Sequence, residues 1–220
     1  MPEGPEVWIL SEAINLYKKY NDTCSYGKHL IIKDIMEGDD MYFDYSFGLT
    51  GKVKMSEDGI ISKVNAGAIY GDVDMSREKA ELLEGLGISW MHADESLIKA
   101  ELDKWTKSKT VLGTLMLNQS LICGIGVAWG SEILFRAGLR PNLKACDQDL
   151  SKLFNAVIEI RNEIKKLYAD MLTKETDYTK ETDYRSFINA WFKNLYEVRE
   201  MKAYKKTTQV KVGGRTWYTF

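Results

Sequence analysis

Hydrophobic periodicity changes once along this chain, near residue 95, and that change restricts the fold more than any other feature. Before it lie short β-rich runs, "KHLIIKDIM", "MYFDYSF", "GKVKMSE" and "GIISKVNAGAIYGDVDM", broken by Gly and Asp. Such runs predict strands of a small antiparallel sheet or sandwich. One helix precedes them. In "EVWILSEAINLYKKY", Val7, Leu10, Ile14 and Tyr17 recur at helical spacing, which predicts a helix from about Glu6 to Tyr20. "SREKAELLEGLG" predicts a short helix closed by Gly. From Ser96 the pattern is mostly helical: "ESLIKAELDKWTKS", "TVLGTLMLNQSLIC", "VAWGSEILFRAG" and "DQDLSKLFNAVIEIRNEIKKLYADML", with "SFINAWFKNLYEVREM" read as a further helix or an irregular arm. The expected class is α+β. An N-terminal helix and small antiparallel β-sandwich would occupy 1–95, a helical domain 96–200 and a packed β-hairpin 201–220, with a linker around 94–108.

Two stretches carry more specific signals. The chain closes on "TTQVKVGGRTWYTF", where Val210 and Val212 alternate with polar residues ahead of Gly213-Gly214. That pattern predicts a β-hairpin with a two-residue glycine turn. Arg215 would stand just after the turn, near the tip, where an arginine can enter a groove, clamp a phosphate or simply face water. The second stretch is "NQSLICGIGVAWGSEILFRAGLRP", two helical patterns separated by Gly124-Ile125-Gly126. Gly138 fits a helix C-cap and Pro141 the exit. A tight helix–turn–helix presents backbone N–H groups at a helix start, a good place for phosphate. A tandem "TKETDY" at 173–178 and 179–184 reads as an exposed loop expanded by duplication, either a tolerated insertion or a contact loop.

Composition excludes several classes. With 220 residues, 45% hydrophobic and 28% charged, the chain is long enough for one large or two small cores. No apolar run approaches the roughly 20 residues of a membrane span. Glu3 and Glu6 break any basic-then-apolar leader, so an intracellular protein is expected, in a cytoplasm or nucleus of bacterial, viral or other origin, and not a secreted one. Cys24, Cys123 and Cys146 are odd in number and widely spaced, and His29 and His92 stand alone. Neither a disulfide framework nor a metal site is expected, and nothing calls for a cofactor. The net charge of −2 hides an asymmetry: residues 144–220 hold 15 basic against 11 acidic side chains, a net of +4, and residues 1–143 a net of −6. Met201 to Phe220 contains Lys202, Lys205, Lys206, Lys211 and Arg215 and no acid, so a basic surface is available at that end.

Taken in order, "MPEGPE", "GKHL", "FGLTGKVKM" and "NQSLICGIGVAWGSEILFRAGLRP" resemble the formamidopyrimidine-DNA glycosylase / endonuclease VIII (Fpg/Nei) family across nearly the whole chain. The "PEGPE" start resembles the Nei-like branch. The helical stretch resembles the family's helix–two-turn–helix module, and the hairpin at 207–220 its zincless finger. The resemblance implies a bifunctional DNA glycosylase and abasic-site lyase excising oxidised bases, pyrimidines ahead of 8-oxoguanine. The alternative reading is a non-catalytic binder of abasic or single-stranded DNA. The implied partner is damaged DNA, duplex or single-stranded, engaged by a monomer without membrane or metal.

The resemblance also implies roles. Methionine removal would leave Pro2 with a free secondary amine. A terminal amine titrates about two units below a lysine, so more of it is neutral and nucleophilic near neutrality. Attack on C1′ displaces the base and gives an iminium, which acidifies the C2′ hydrogen and permits β-elimination, with a second, δ-elimination to follow. Glu3 would shuttle protons to the sugar ring oxygen or the leaving base. Lys28 would stabilise a phosphate or deliver a proton. Leu49 would fill the gap left by a flipped nucleotide. Gly124, Gly126, Lys211 and Arg215 would meet the DNA backbone. The chain departs from the family in three places, one of them an expected end directly after the finger at Phe220, without a C-terminal extension for partner binding. The family's GxGN reads Gly124-Ile125-Gly126-Val127, which removes an asparagine contact to phosphate. The strand region between Glu3 and Lys28 is short, which implies a trimmed β-domain.

Overall fold

The first helix owes its start to two carboxylates. In the computed structural model, which describes residues 3–16, 23–36, 39–46, 51–55, 61–65, 73–173, 203 and 208–220, helix α1 spans Gly4–Leu16. The Glu3 N–H donates to Glu6 Oε2 at 3.1 Å, and the Val7 N–H to the Glu3 carbonyl at 3.1 Å. A helix leaves its first N–H groups without partners, and an acid in the third position satisfies one of them by reaching back. Pro5 lacks an N–H and costs nothing in this first turn. Val7 and Ile9 are buried. Residues 17–20, expected to continue the helix, lie outside the described residues.

Four strands follow as an antiparallel sheet. They are β1 (Thr23–Tyr26), β2 (His29–Met36), β3 (Asp39–Ser46) and, after β4 (Gly51–Met55) and β5 (Ile61–Asn65), β6 (Val73–Ser76). The order is β1-β2-β3-β6, and β4 and β5 form a separate antiparallel pair. Gly27 has φ 58°, the left-handed conformation that a two-residue Gly27-Lys28 turn between β1 and β2 requires. One register row runs Cys24, Ile31, Asp44, Asp74. Leu30 and Ile31 are both buried although they point to opposite faces, so β2 is covered on both sides there. Helix α1 packs on β1 and β2, and the Asn15 amide bonds both the carbonyl and the N–H of Thr23, tying the helix to the first strand. Helix α2 (Lys79–Leu82) ends this region, with Gly85 at φ 79° just beyond.

The described residues divide into two compact units at Gly85–Leu86. The stretch 94–108, expected as a linker, is largely helix α3 (Glu95–Trp105), whose Ile98, Leu102 and Trp105 are buried within the second unit. The run 110–123, expected as one helix, is split. Helix α4 (Leu112–Leu117) stops because the Asn118 side chain accepts from the Ser120 N–H and hydroxyl, an Asx turn that competes with helix. The chain then forms strand β8 (Ile122–Cys123), parallel to β7 (Ile88–Ser89). Gly87 makes this pairing possible, because a Cβ there would lie 2.1 Å from the Leu121 carbonyl oxygen.

Helix α5 (Val127–Ala137) runs as expected into Gly138 at φ 71°. There the Leu139 N–H returns to the Leu134 carbonyl at 2.8 Å, a left-handed cap that lets the chain turn out. Two single 3₁₀ turns, at 145–147 and 150–152, replace the expected start of the last long helix, and α6 spans Leu153–Leu172. Trp90, Met116, Trp129, Ile133, Ile160 and Ile164 are fully buried and form the centre of this unit. The hairpin forms as expected from β9 (Thr208–Val212) and β10 (Arg215–Thr219), with Gly213 and Gly214 both at positive φ. Trp217 docks it. A Cβ at Gly113 would lie 3.1 Å from the indole, and one at Gly130 would lie 2.9 Å from it, so two glycines on α4 and α5 make the slot. The Tyr218 N–H donates to Ser131 Oγ at 3.1 Å, and Phe220 meets Phe135 edge to face.

Buried charge ties the helices together. Glu132 is fully buried and accepts from Arg136 Nε and from the Ala203 N–H, both at 2.8 Å. Arg136 also bonds Glu163 and Glu159 on α6. Burial alone would lower the titration of that guanidinium, but hydrogen bonds to Glu163 and Glu132 outweigh it and hold the group charged above its ordinary range.

Candidate functional site

In the first unit, the start of α1 and the β1–β2 turn carry the candidate chemistry. Glu3 is 5% exposed and stands at the N-cap of α1, with its backbone N–H held by Glu6. It stands at the positive end of the α1 dipole, whatever further part it plays. Pro2 lies outside the described residues, one peptide bond upstream of this anchored position. Lys28 occupies the two-residue turn and is half-buried. Both Glu3 and Lys28 thus belong to elements that pack on one another, α1 with β1 and β2. Leu49 lies outside the described residues, as do the TKETDY repeat beyond its first residue and the arm that follows it.

His29 does not stand alone, as its isolation in the sequence suggests. Its Nδ1 lies 2.7 Å from Asp44 Oδ2, with the side chains 26% and 5% exposed respectively. The pairing follows from register. Met36 faces Asp39, so His29 faces Ser46, and Asp44 is its diagonal neighbour on the same sheet face. The two-residue gap between β2 and β3 was the available signal. Cys24, read as a packed thiol, is half-buried and accepts from Lys79 Nζ at 2.8 Å. Among the described residues, no group of three or more His, Cys, Asp or Glu side chains is placed to hold a metal ion.

In the second unit, the turn between α4 and α5 is set by Gln119, a residue that sequence reasoning passed over. Its amide nitrogen donates to the carbonyls of Leu117 (3.0 Å) and Ile125 (2.9 Å), and its oxygen accepts from the Gly124 N–H (2.9 Å). One side chain therefore closes the loop end to end. Gly124 sits at φ 93°, which a side chain would strain. Gly126 is the N-cap of α5 in extended conformation, without a side-chain cap, and Val127 opens the helix. The two turn glycines and the positive end of α5 thus converge on one loop.

The hairpin separates its two basic residues. Arg215 faces Val212 in register and shares a face with Trp217, whereas Lys211 faces Thr216 on the opposite side. Both are exposed, with Arg215 next to the Gly213-Gly214 tip. Arg140, outside the expected set, is exposed and lies 5.5 Å over the Phe220 ring at the other end of the hairpin.

No family model and no curated protein sequence matches the chain. Solved structures do. The MutM (Fpg) protein of Thermus thermophilus is 17% identical, with 100% of this chain and 97% of that one covered at a TM-score of 0.71. The wild-type Lactococcus lactis Fpg (MutM) in complex with DNA containing N7-benzyl-Fapy-dG is 18% identical, with 100% and 98% covered at 0.64. The Lactococcus lactis formamidopyrimidine-DNA glycosylase non-covalently bound to DNA with an abasic site is 18% identical, with 91% and 79% covered at 0.59. At this identity the likeness speaks for architecture, and the chain has the fold of the Fpg (MutM) DNA glycosylases.

Proposed function

We propose that this protein is a bifunctional DNA glycosylase and abasic-site lyase of base excision repair, acting on damaged DNA as a monomer through the amine of Pro2. The observation that carries the reading is the cap at the start of α1. Glu6 holds the Glu3 N–H, and Glu3 is buried, so the residue bonded to Pro2 is anchored in an Fpg-like fold. A nucleophile gains most when its position is settled before the substrate arrives. The Pro2 nitrogen attacks C1′ as the base leaves, Glu3 serves the ring oxygen or the base with a proton, and the iminium permits loss of the C2′ hydrogen and the 3′ phosphate. Lys28 answers the phosphate charge, and Leu49 fills the gap in the stack. The Gln119-closed turn at Gly124 and Gly126 and the tip at Arg215 hold the DNA backbone, with Lys211 on the outer face of the hairpin.

Preference for oxidised pyrimidines and the Nei-like branch are supported by the "PEGPE" start and a hairpin finger that carries no cysteine. A Lactococcus Fpg of 18% identity is itself known in complex with oxidised-pyrimidine DNA. Val127 favours a second reading, a binder that does not cut, because an apolar side chain opens α5 where a phosphate donor would stand. One experiment separates the two. Borohydride is expected to trap the protein covalently on abasic-site DNA, and the trapped band should vanish in Pro2→Gly and in a form whose terminal amine is buried under added residues. A mobility shift without trapping or scission would replace the enzyme reading with the binder.

A further inference from the structure

The proposed mechanism leaves unused the His29–Asp44 pair beside Lys28. Asp44 is 5% exposed, and among the described residues one of its oxygens has no hydrogen-bond partner. Among the described residues its other oxygen meets His29. A buried carboxylate with a single hydrogen bond costs folding free energy that an apolar residue on this strand would avoid. What it does achieve is orientation. Asp44 Oδ2 engages His29 at Nδ1, which fixes the ring and leaves Nε2 clear of that contact on a side chain that is 26% exposed. His29 opens β2 directly after the two-residue turn that carries Lys28, and its ring is locked to β3 through the diagonal contact. Asp44 therefore stands behind His29 as an orienting carboxylate stands behind a catalytic imidazole, with Nε2 left for other chemistry.

We propose that His29, oriented by Asp44, is the proton donor to the phosphate that departs in β-elimination, with Lys28 left to neutralise charge. The proposal rests on the lyase reading above. In the step, water takes the C2′ proton, and the electron pair of the broken C2′–H bond forms the C2′=C3′ double bond. The C3′–O bond breaks with its pair going to the phosphate oxygen, and that oxygen takes the proton from His29 Nε2. The imidazole is left neutral with Nδ1–H still on Asp44, and it is reprotonated from water. Asp44 is a positioning residue and does not meet the DNA.

The test uses the full-length protein and DNA carrying a preformed abasic site, and it reads borohydride trapping and strand scission separately. His29→Gln should keep trapping within about twofold and slow scission by about 10²-fold, the usual scale of a general acid. Asp44→Asn, whose amide can donate to Nδ1 and reverse the tautomer, should lose much of the same factor. The double variant should lose no more than His29→Gln alone. Free imidazole should restore scission to His29→Gly, a readout that a purely structural role would not move. Wild-type scission in His29→Gln overturns the proposal. So does an equal fall of trapping and scission that imidazole fails to rescue. A wild type that neither traps nor cuts removes the lyase reading itself and this proposal with it, whereas a wild type that does both while His29→Gln cuts normally removes this proposal alone.

Discussion

Replacing Gly130 by alanine tests how the hairpin is held, because two opposed effects meet at that residue. Alanine in a helix interior is favoured over glycine by about 1 kcal/mol. Against that gain, the new Cβ would lie 2.9 Å from Cζ3 and 3.0 Å from Cη2 of Trp217, inside any normal carbon–carbon contact. Overpacking of this kind costs about 1–3 kcal/mol. Gly130→Ala in the natural background should therefore be destabilising by up to about 2 kcal/mol. Trp217→Phe removes the outer indole ring, which supplies both close atoms. In that background the clash is gone, and Gly130→Ala should be stabilising by up to about 1 kcal/mol. The Ile125 methyl at 3.5 Å is an ordinary contact and does not oppose it. Urea denaturation of the four proteins gives the cycle, with coupling of about 1–3 kcal/mol expected between the two positions. If Gly130→Ala is equally harmful in both backgrounds, the indole is not what requires glycine, and the docking argument for the hairpin fails.

Three further outcomes follow from the same geometry. Gln119→Ala should cost about 1–3 kcal/mol in urea denaturation, because it strips the buried Gly124 N–H of its acceptor, and it should weaken binding to abasic-site DNA more than its stability loss explains. Arg215→Ala should reduce the salt dependence of DNA binding by about one unit of log–log slope, measured by fluorescence anisotropy; Lys211→Ala, on the other face of the hairpin, should reduce it less. Glu6→Ala should cost about 1 kcal/mol as a lost helix cap and should slow borohydride trapping, since Glu6 secures the residue next to Pro2; normal trapping kinetics would detach the cap from the chemistry.

Elements whose signals are local were legible in the sequence. Gly138 ends α5 because a left-handed cap needs only its own residue, and Gly213-Gly214 turns the hairpin for the same reason. The split of 110–123 was also local, but Asn118 and Ser120 were outweighed by the apolar pattern around them, which a helix and a helix–turn–strand share. The start of α6 was displaced by two 3₁₀ turns for a similar reason, with the Asp149 side chain accepting from the Ser151 N–H. Of the candidate site, Glu3 and Lys28 were named through motif resemblance; Glu3 stands at the N-cap of α1 and Lys28 in the β1–β2 turn. Gln119 was missed because its three bonds serve backbone groups that only a formed loop brings within reach.

The sequence by itself determined the order of the chain: a capped helix, short strands, then helices and a glycine-turned hairpin. These depend on propensities and turn chemistry acting within a few residues. Tertiary structure alone decided which distant groups meet. Strand register brought Asp44 behind His29, and two glycines 17 positions apart became one slot for Trp217. Such contacts depend on the register of whole elements, where a shift of one residue would turn every side chain to the other face. No local pattern carries that information, and it is there that the unused histidine acquired a role.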